Sequence, residues 1–147
     1  MTLDSFTDDL YAEFSSKSPD ENIFFSPFSI SVALSMILCG SEGNTKDQIK
    51  KAFSLHVDNC ENSVVLEKLQ NLTSNNPAVI VSTFNNLFLE SLFKIKGDYV
   101  NILEGFGCKV HKLSFKTKAD CDKSADEINK IVAENTRNRI ENVIEPD

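Results

Sequence analysis

Histidine and cysteine are the residue types in this sequence whose side chains could act as a base, a nucleophile or a metal ligand. His56 and His111 belong to no nucleophile motif such as G-x-S-x-G, so nothing indicates a serine hydrolase. Cys108, His111 and Cys121 could be taken as metal ligands, but the C-x-x-H pair has no fourth ligand at a spacing typical of zinc. We therefore expect no catalytic residue, no metal, no cofactor and no enzyme.

The cysteines and the start of the chain bear on the compartment. Four cysteines lie far apart and form no C-x-x-C pair: Cys39, Cys60, Cys108 and Cys121. Free thiols in a reducing compartment explain this spacing, and disulfides stay an open alternative. The first residues are acidic, whereas a secretory signal begins with a basic segment and continues with an apolar one. We expect a cytoplasmic protein, with the extracellular space as the alternative.

The charge of the chain limits its expected partners. Fifteen Lys and Arg stand against twenty-two Asp and Glu, which gives a formal net charge of -7. Such a balance repels nucleic acid and anionic lipid unless the basic residues are clustered. The longest apolar stretch, residues 31–39, is shorter than the about 20 residues that a membrane-spanning helix needs. We expect neither a nucleic-acid partner nor a membrane partner.

Helical spacing of apolar residues predicts several helices. The first has four apolar residues on one side: Leu3, Phe6, Leu10 and Phe14. A second helix, over residues 27–39, begins with Pro27 and is apolar or small at nearly every position, so we expect it to be buried on most of its circumference. Further helices are expected after a capping box of Thr45 and Gln48, over residues 65–72 and 99–106, and around a last apolar stripe that ends near residue 140. The residues of that stripe are Ala125, Ile128, Ile131 and Val132.

Three segments are predicted to be strands. Residues 23–25 form a short apolar run, and residues 79–89 are apolar on both faces, as in a strand covered on both sides. Residues 110–115 are flanked by lysines that suit an exposed sheet edge: Lys109, Lys112, Lys116 and Lys118. The order of elements predicts an α+β fold. So small a sheet for so many helices indicates an incomplete fold.

A specific sequence match adds to these predictions. Residues 22–30 (NIFFSPFSI) and 40–45 (GSEGNT) resemble the serpin pattern N-[IV]-[FL]-[FV]-S-P-x-S-[IL] followed by G-A-x-G-x-T. Further matches follow in the order and at the spacing of that family: residues 48–49, 85–88, 94–95, 115, 128–130 and 132–140. The chain therefore resembles the N-terminal part of a serpin, a serine protease inhibitor, from about Phe6 to its end.

The resemblance implies roles for two groups of residues. Ser26, Pro27 and Ser29 would lie in the "shutter" beneath sheet A of the family, where they serve conformational change rather than catalysis. Without the family, Ser26 is equally well explained as a helix N-cap. The strand over residues 79–89 would be central in sheet A, and the strand over residues 110–115 would be its edge. Three residues match positions of the family's helix F, which crosses that sheet: Ile128, Asn129 and Thr136.

Some positions depart from the family pattern. Ile131 stands where the family commonly has tryptophan, Asn138 where helix F customarily has a glycine near its end, and Ser41 where G-A-x-G has alanine. The largest departure is length, because the resemblance places the other strands and the reactive loop beyond Asp147. We therefore expect residues 1–147 to be less than half of a single serpin domain, without a reactive bond.

The implied function is inhibition of serine-type endopeptidases. In complete family members the cleaved reactive loop enters sheet A as an extra strand. The chain alone is expected to be inactive, and a serine protease is expected as its partner only if the missing C-terminal part is present. The alternative is a non-inhibitory interaction module that self-associates through exposed sheet edges.

Overall fold

The computed structural model describes residues 3–53, Glu67, Asn71 and residues 83–145. Within them lie five helices and two strands: α1 (Leu3–Lys17), α2 (Pro27–Gly40), α3 (Gly43–Phe53), β1 (Asn85–Glu90), α4 (Gly97–Gly105), β2 (Cys108–Leu113) and α5 (Lys118–Asn135). The chain divides into two compact units. The helical unit comprises Met1–Thr83 and Gly97–Phe106, and the sheet unit comprises Phe84–Lys96 and Gly107–Asp147.

The helical unit is built around α2. Val32 and Phe106, exposed by 2% and 1%, form its core, and four half-buried residues pack on them: Phe28, Met36, Cys39 and Ile102. Four of these residues, Phe28, Val32, Met36 and Cys39, recur along α2 at helical spacing, which places them on one face. The exposed residues of α2 are Ser29, Ala33, Ile37 and Gly40, which share one narrow stripe. The other residues of the helix are buried or half-buried, so the expected burial on most of its circumference is confirmed.

Gly40, the last residue of α2, permits close contact with α4. A Cβ atom built on Gly40 would lie 2.6 Å from Cζ of Tyr99, closer than two carbon atoms can approach. The Tyr99 hydroxyl donates a hydrogen bond to the backbone oxygen of Met36 at 2.8 Å, which fixes the ring against the helix. Glycine is therefore required here for space.

The sheet unit contains a parallel pair of strands. β1 and β2 pair in register from Asn85 opposite Cys108 to Glu90 opposite Leu113, so both carboxyl ends lie at the same edge. α5 has Ser124, Ala125 and Ile128 on its buried face. All six residues of β1 are half-buried, so both faces of this strand are partly covered.

Several element boundaries differ from those expected. Residues 23–25 form no strand, and Phe25 instead makes an edge-to-face contact with Phe14, with the ring centroids 5.1 Å apart. Gly43, with φ of +55°, begins α3, so Thr45 and Gln48 lie inside that helix rather than capping it. Gly107, with φ of +66°, turns the chain directly into β2, which begins earlier than expected.

The remaining elements can be compared only in part. β1 covers Asn85–Glu90, and the start of the expected strand over residues 79–89 lies outside the described residues. The same holds for most of the expected helix over residues 65–72, of which Glu67 and Asn71 are described as helical and exposed. α5 runs from Lys118 to Asn135, a few residues earlier than expected.

The cysteines differ in bonding state. Cys39 is disulfide-bonded, whereas Cys108 is a buried free thiol and Cys121 an exposed one. Burial raises the pKa of the Cys108 thiol, which keeps it protonated. Of the two alternatives that the sequence left open, free thiols hold for Cys108 and Cys121, and a disulfide holds for Cys39.

Candidate functional site

The first group of candidate residues lies at the N-terminus of α2. Ser26 is the N-cap, with φ of -113° and ψ of 100°, and Pro27 occupies the first turn. Proline suits this position because its fixed φ is helical and its missing N–H has no partner in the first turn. The backbone N–H of Ser29 donates to Ser26 Oγ at 3.2 Å, which satisfies one of the free donors at the helix start.

The two hydroxyl groups of this first site also contact each other. Ser26 Oγ and Ser29 Oγ lie 2.9 Å apart, and both residues are exposed. Only one of the two hydroxyls can donate in that contact, so the second proton is free to reach a backbone carbonyl that comes close. The structure therefore brings Ser26, Pro27 and Ser29 together as a small exposed polar site in the helical unit.

One turn further into α2 the serines are buried. Ser31 Oγ donates to the backbone oxygen of Pro27 at 2.8 Å. Ser35, exposed by 4%, has a hydroxyl that finds no hydrogen-bond partner among the described residues. Buried hydroxyl groups are normally paired, since an unpaired one costs about 1–3 kcal/mol. The sequence pattern of small residues indicated this close packing, but gave no sign of the unpaired hydroxyl.

The second group lies on α5 and holds the segment that follows it. Asn129 Oδ1 accepts hydrogen bonds from the backbone N–H groups of Val143 at 2.9 Å and Ile144 at 3.0 Å. Asn129 Nδ2 donates to the backbone oxygen of Ile144 at 2.7 Å. One amide side chain thus satisfies three backbone groups. We call residues 140–145 the return segment.

Thr136 holds the other end of the return segment. It is the C-cap of α5, and its Oγ1 accepts the backbone N–H of Ile140 at 3.1 Å and lies 2.8 Å from the backbone oxygen of Val132. Between α5 and the segment, Arg137 and Asn138 both have φ of 56°. Asparagine is among the residues that best tolerate this left-handed conformation, whereas arginine adopts it at a cost. The chain reverses here without a glycine.

Ile128 differs from its two companions because it is buried. Its side chain is exposed by 6%, and it lines a cavity of about 420 Å³ beside α5. Phe115 and Ala125 line the same cavity from the end of β2 and from α5, and Ile144 lines it from the return segment. Asn129 therefore holds the backbone of Ile144 in a position in which the Ile144 side chain lines this cavity.

Three contacts of the sheet unit were not expected from the sequence, and two of them involve His111. His111 Nε2 lies 3.1 Å from Asn86 Oδ1, and the His111 ring stacks on Phe88 with the centroids 5.0 Å apart. These contacts join β1 to β2 and show His111 in a structural role. Cys108, His111 and Cys121 form no metal site, since no group of three His, Cys, Asp or Glu among the described residues could hold an ion.

The third contact joins the ends of the two strands. The Glu90 carboxylate accepts the Ser91 hydroxyl at 2.6 Å and the backbone N–H of Phe115 at 2.8 Å. These two hydrogen bonds, with a smaller contribution from the charge of Lys116, lower the pKa of Glu90. A pattern of alternating residues could not have revealed this contact, because it depends on which residues the strand register places side by side.

Comparison with known proteins decides the family. The model of the family described as "Serpin (serine protease inhibitor)" matches residues 1–147. The chain belongs to the serpin family. Its α+β architecture, with N-terminal helices and a small part of the sheet, is that of an incomplete serpin fold.

Individual serpins show how much of the family fold is present. Ipis-1 of Ixodes persulcatus is 32% identical over 145 residues, which are 97% of this chain and 38% of Ipis-1. Leukocyte elastase inhibitor of Xenopus tropicalis is 31% identical over 145 residues, or 95% of this chain and 37% of that protein. The solved structure of uncleaved ovalbumin matches with a TM-score of 0.85 at 27% identity, covering 97% of this chain and 38% of ovalbumin. The chain thus spans well under half the length of these relatives.

Proposed function

We propose that residues 1–147 are the N-terminal part of one serpin domain, and that the complete domain inhibits a serine-type endopeptidase. The observation that carries the proposal is the family match over residues 1–147, together with inhibitor relatives such as leukocyte elastase inhibitor. In this proposal β1 and β2 belong to the sheet that accepts the cleaved reactive loop as a new strand, and α5 corresponds to the helix that crosses this sheet.

The 147 residues alone are proposed to be inactive as an inhibitor. They correspond to 38% of the length of Ipis-1. Inhibition by strand insertion needs both a cleavable loop and a larger sheet than the two strands that the described residues contain. After incubation with an elastase-like or a trypsin-like protease, we expect no protease complex that survives denaturing electrophoresis. Such a complex would contradict this part of the proposal.

A matched chimera tests the inhibitory part of the proposal. The corresponding C-terminal part of the Xenopus tropicalis leukocyte elastase inhibitor is joined to residue 147, and an elastase-like protease is added. We expect a complex that survives denaturing electrophoresis. A folded chimera that the protease merely cleaves would show that this N-terminal part does not support inhibition.

Ser26, Pro27 and Ser29 are proposed to act in conformational change of the complete domain. The support is the contact between the exposed hydroxyls of Ser26 and Ser29, 2.9 Å apart at the start of α2. One of the two O–H groups is not used as a donor in this contact and can donate to another acceptor. In the chimera, Ser29→Ala should change the rate at which the cleaved loop inserts, while Ser16→Ala, an exposed serine of α1, should not. Equal rates for both variants would remove this role.

A second candidate function is self-association through the sheet. Among the described residues β1 pairs with β2 only, and Phe84 beside β1 is exposed by 49%. An unpaired strand edge beside apolar surface favours pairing with another chain. Light scattering on a sizing column should then show a mass that rises with protein concentration. A constant monomer mass would exclude this candidate.

The disulfide of Cys39 bears on localisation. Disulfides persist in oxidising compartments and are rare in the cytosol. We therefore propose the extracellular space rather than the cytoplasm. Mass spectrometry of the protein from its source, alkylated before and after reduction, should find Cys39 protected before reduction and labelled after it. Labelling of Cys39 without reduction would restore the cytoplasmic expectation.

A further inference from the structure

The carboxyl edge of the two-stranded sheet carries apolar side chains that point into solvent. The parallel register places the ends of β1 and β2 together, and the backbone N–H of Ser91 donates to the oxygen of Leu113 at 2.7 Å. The turn after β1 then exposes Leu92 by 71% and Phe93 by 57%, and the chain after β2 exposes Phe115 by 40%. We call residues 91–96 and 114–118 together the lysine-rich edge.

This edge is also basic. Its two segments contain four exposed lysines and no acidic residue: Lys94, Lys96, Lys116 and Lys118. Glu90 adjoins the edge, but its carboxylate already accepts hydrogen bonds from Ser91 and Phe115. The sheet unit contains ten of the fifteen Lys and Arg residues. The helical unit contains thirteen of the twenty-two Asp and Glu residues. The net charge of -7 thus conceals a local cluster of basic residues.

We propose that the lysine-rich edge docks on the surface of a membrane that contains anionic phospholipid. Exposed leucine and phenylalanine side chains enter the boundary between headgroups and acyl chains, while neighbouring lysines remain at the surface and pair with the headgroup charges. The combination favours a membrane over a sulfated polysaccharide, which would use the lysines but leave Leu92 and Phe93 in water. Among the described residues, no helix is long and apolar enough to span a bilayer.

The test uses sedimentation of the 147-residue chain with vesicles. Vesicles of about 70% phosphatidylcholine and 30% phosphatidylserine should bind the protein, and vesicles of pure phosphatidylcholine should not. Each lysine near an anionic surface strengthens binding about fivefold, so the double variant Lys94→Gln/Lys96→Gln should bind roughly 25-fold more weakly. The double variant Lys123→Gln/Lys130→Gln, which removes two exposed lysines of α5, is the matched control and should change binding less than threefold.

Insertion of the apolar side chains can be measured separately. The chain contains no tryptophan, so Phe93→Trp introduces a single fluorescent reporter. Its emission should shift to shorter wavelength on phosphatidylserine vesicles and should be quenched by brominated acyl chains. Phe24→Trp, at a fully exposed position of the helical unit, should show neither effect. Circular dichroism establishes that each variant keeps the fold of the parent.

Three outcomes would overturn the proposal. One is equal binding to both kinds of vesicle or to neither. Another is retained vesicle binding by Leu92→Ser/Phe93→Ser, for which we expect a loss of at least tenfold. The third is binding to immobilised heparin that the same double variant leaves unchanged, without vesicle binding, which would assign the lysines to a polysaccharide. None of these measurements involves a protease, so failure here leaves the proposed inhibitory function untouched.

Discussion

The Glu90 carboxylate and the backbone N–H of Phe115 lie 2.8 Å apart and join the carboxyl ends of the two parallel strands. The same carboxylate accepts the Ser91 hydroxyl, so one side chain fixes both the turn after β1 and the chain after β2. The hydrogen bonds from Ser91 and Phe115 are stronger to the ionised carboxylate, and they therefore lower the pKa of Glu90.

Stability should depend on the ionisation of Glu90. Because its pKa in the folded state lies below the unfolded value, its contribution is present above the unfolded pKa and is lost as the pH falls through the folded pKa. Glu90→Gln should lower the Tm at pH 7, and the difference from the parent should shrink at acidic pH. Glu141→Gln, which alters an exposed carboxylate, serves as the control. A Tm difference that is the same at all pH values would contradict the assignment.

Removal of the Asn129 amide should release the return segment. Asn129→Ala deletes three hydrogen bonds to Val143 and Ile144, with an expected loss of about 1–3 kcal/mol in the free energy of unfolding. Hydrogen exchange of the amides of both residues should accelerate, while exchange in β1 and β2 stays as in the parent. Lys130→Ala changes the exposed neighbour and should leave the exchange of Val143 and Ile144 unchanged. Unaltered exchange in Asn129→Ala would show that other contacts hold the segment.

The N-cap of α2 should be worth a measurable amount of stability. Ser26→Ala removes the acceptor for the backbone N–H of Ser29, and the expected loss is about 1 kcal/mol. Ser26→Asp preserves an acceptor and should recover most of it. Denaturant unfolding of the three proteins makes the comparison. If alanine and aspartate gave the same stability, the cap would contribute nothing.

Gly40 should be necessary because the Tyr99 ring leaves no space for a Cβ atom, and not because of its backbone conformation. Gly40→Ala should destabilise the protein by about 1–3 kcal/mol, because its Cβ would overlap the Tyr99 ring, which is held by Met36. In the background of Tyr99→Leu, which removes the ring atoms that clash, the added cost of Gly40→Ala should fall below about 0.5 kcal/mol, because the two substitutions are coupled through the clash. Gly105→Ala, with open space around its Cβ position, is the matched control. Additive effects of the Gly40 and Tyr99 substitutions would refute the clash.

Asn138 should be less favourable than the glycine that is customary at this family position. Its φ of 56° is a conformation that glycine adopts at no steric cost. Asn138→Gly should stabilise the protein by about 0.5–1 kcal/mol, and Asn138→Val should destabilise it by at least 1 kcal/mol. Thermal unfolding measures both. A stable valine variant would mean that the backbone relaxes away from the left-handed region.

The sequence predicted those features that depend on neighbouring residues. The Ser26-Pro27 helix start, the helical stripe from Tyr99 to Phe106 and the identity of the family all follow from short patterns. The family resemblance predicts that Asn129 and Thr136 lie on a helix. It does not predict that both side chains form hydrogen bonds with the return segment. The return segment has no periodic pattern, and its contacts join a side chain to a distant backbone.

Other features depend on distance in space and could not be predicted. The contact between Glu90 and Phe115 requires the register of β1 against β2, which alternating apolar residues leave undetermined. The bonding state of Cys39 depends on which thiol the fold brings near, and spacing along the chain does not decide this. The lysines after β2 are evident in the sequence, but their proximity to Lys94 and Lys96 depends on the parallel register, which brings the ends of β1 and β2 together.

The connection between α5 and the return segment is fixed at both ends. Thr136 holds Ile140 four residues away, and Asn129 holds Ile144 fifteen residues away, so the intervening chain has no slack. Surface loops normally accept insertions and deletions at little cost. Here one added or deleted residue would carry Val143 and Ile144 out of reach of the amide, so this loop should keep a constant length during evolution even where its side chains diverge.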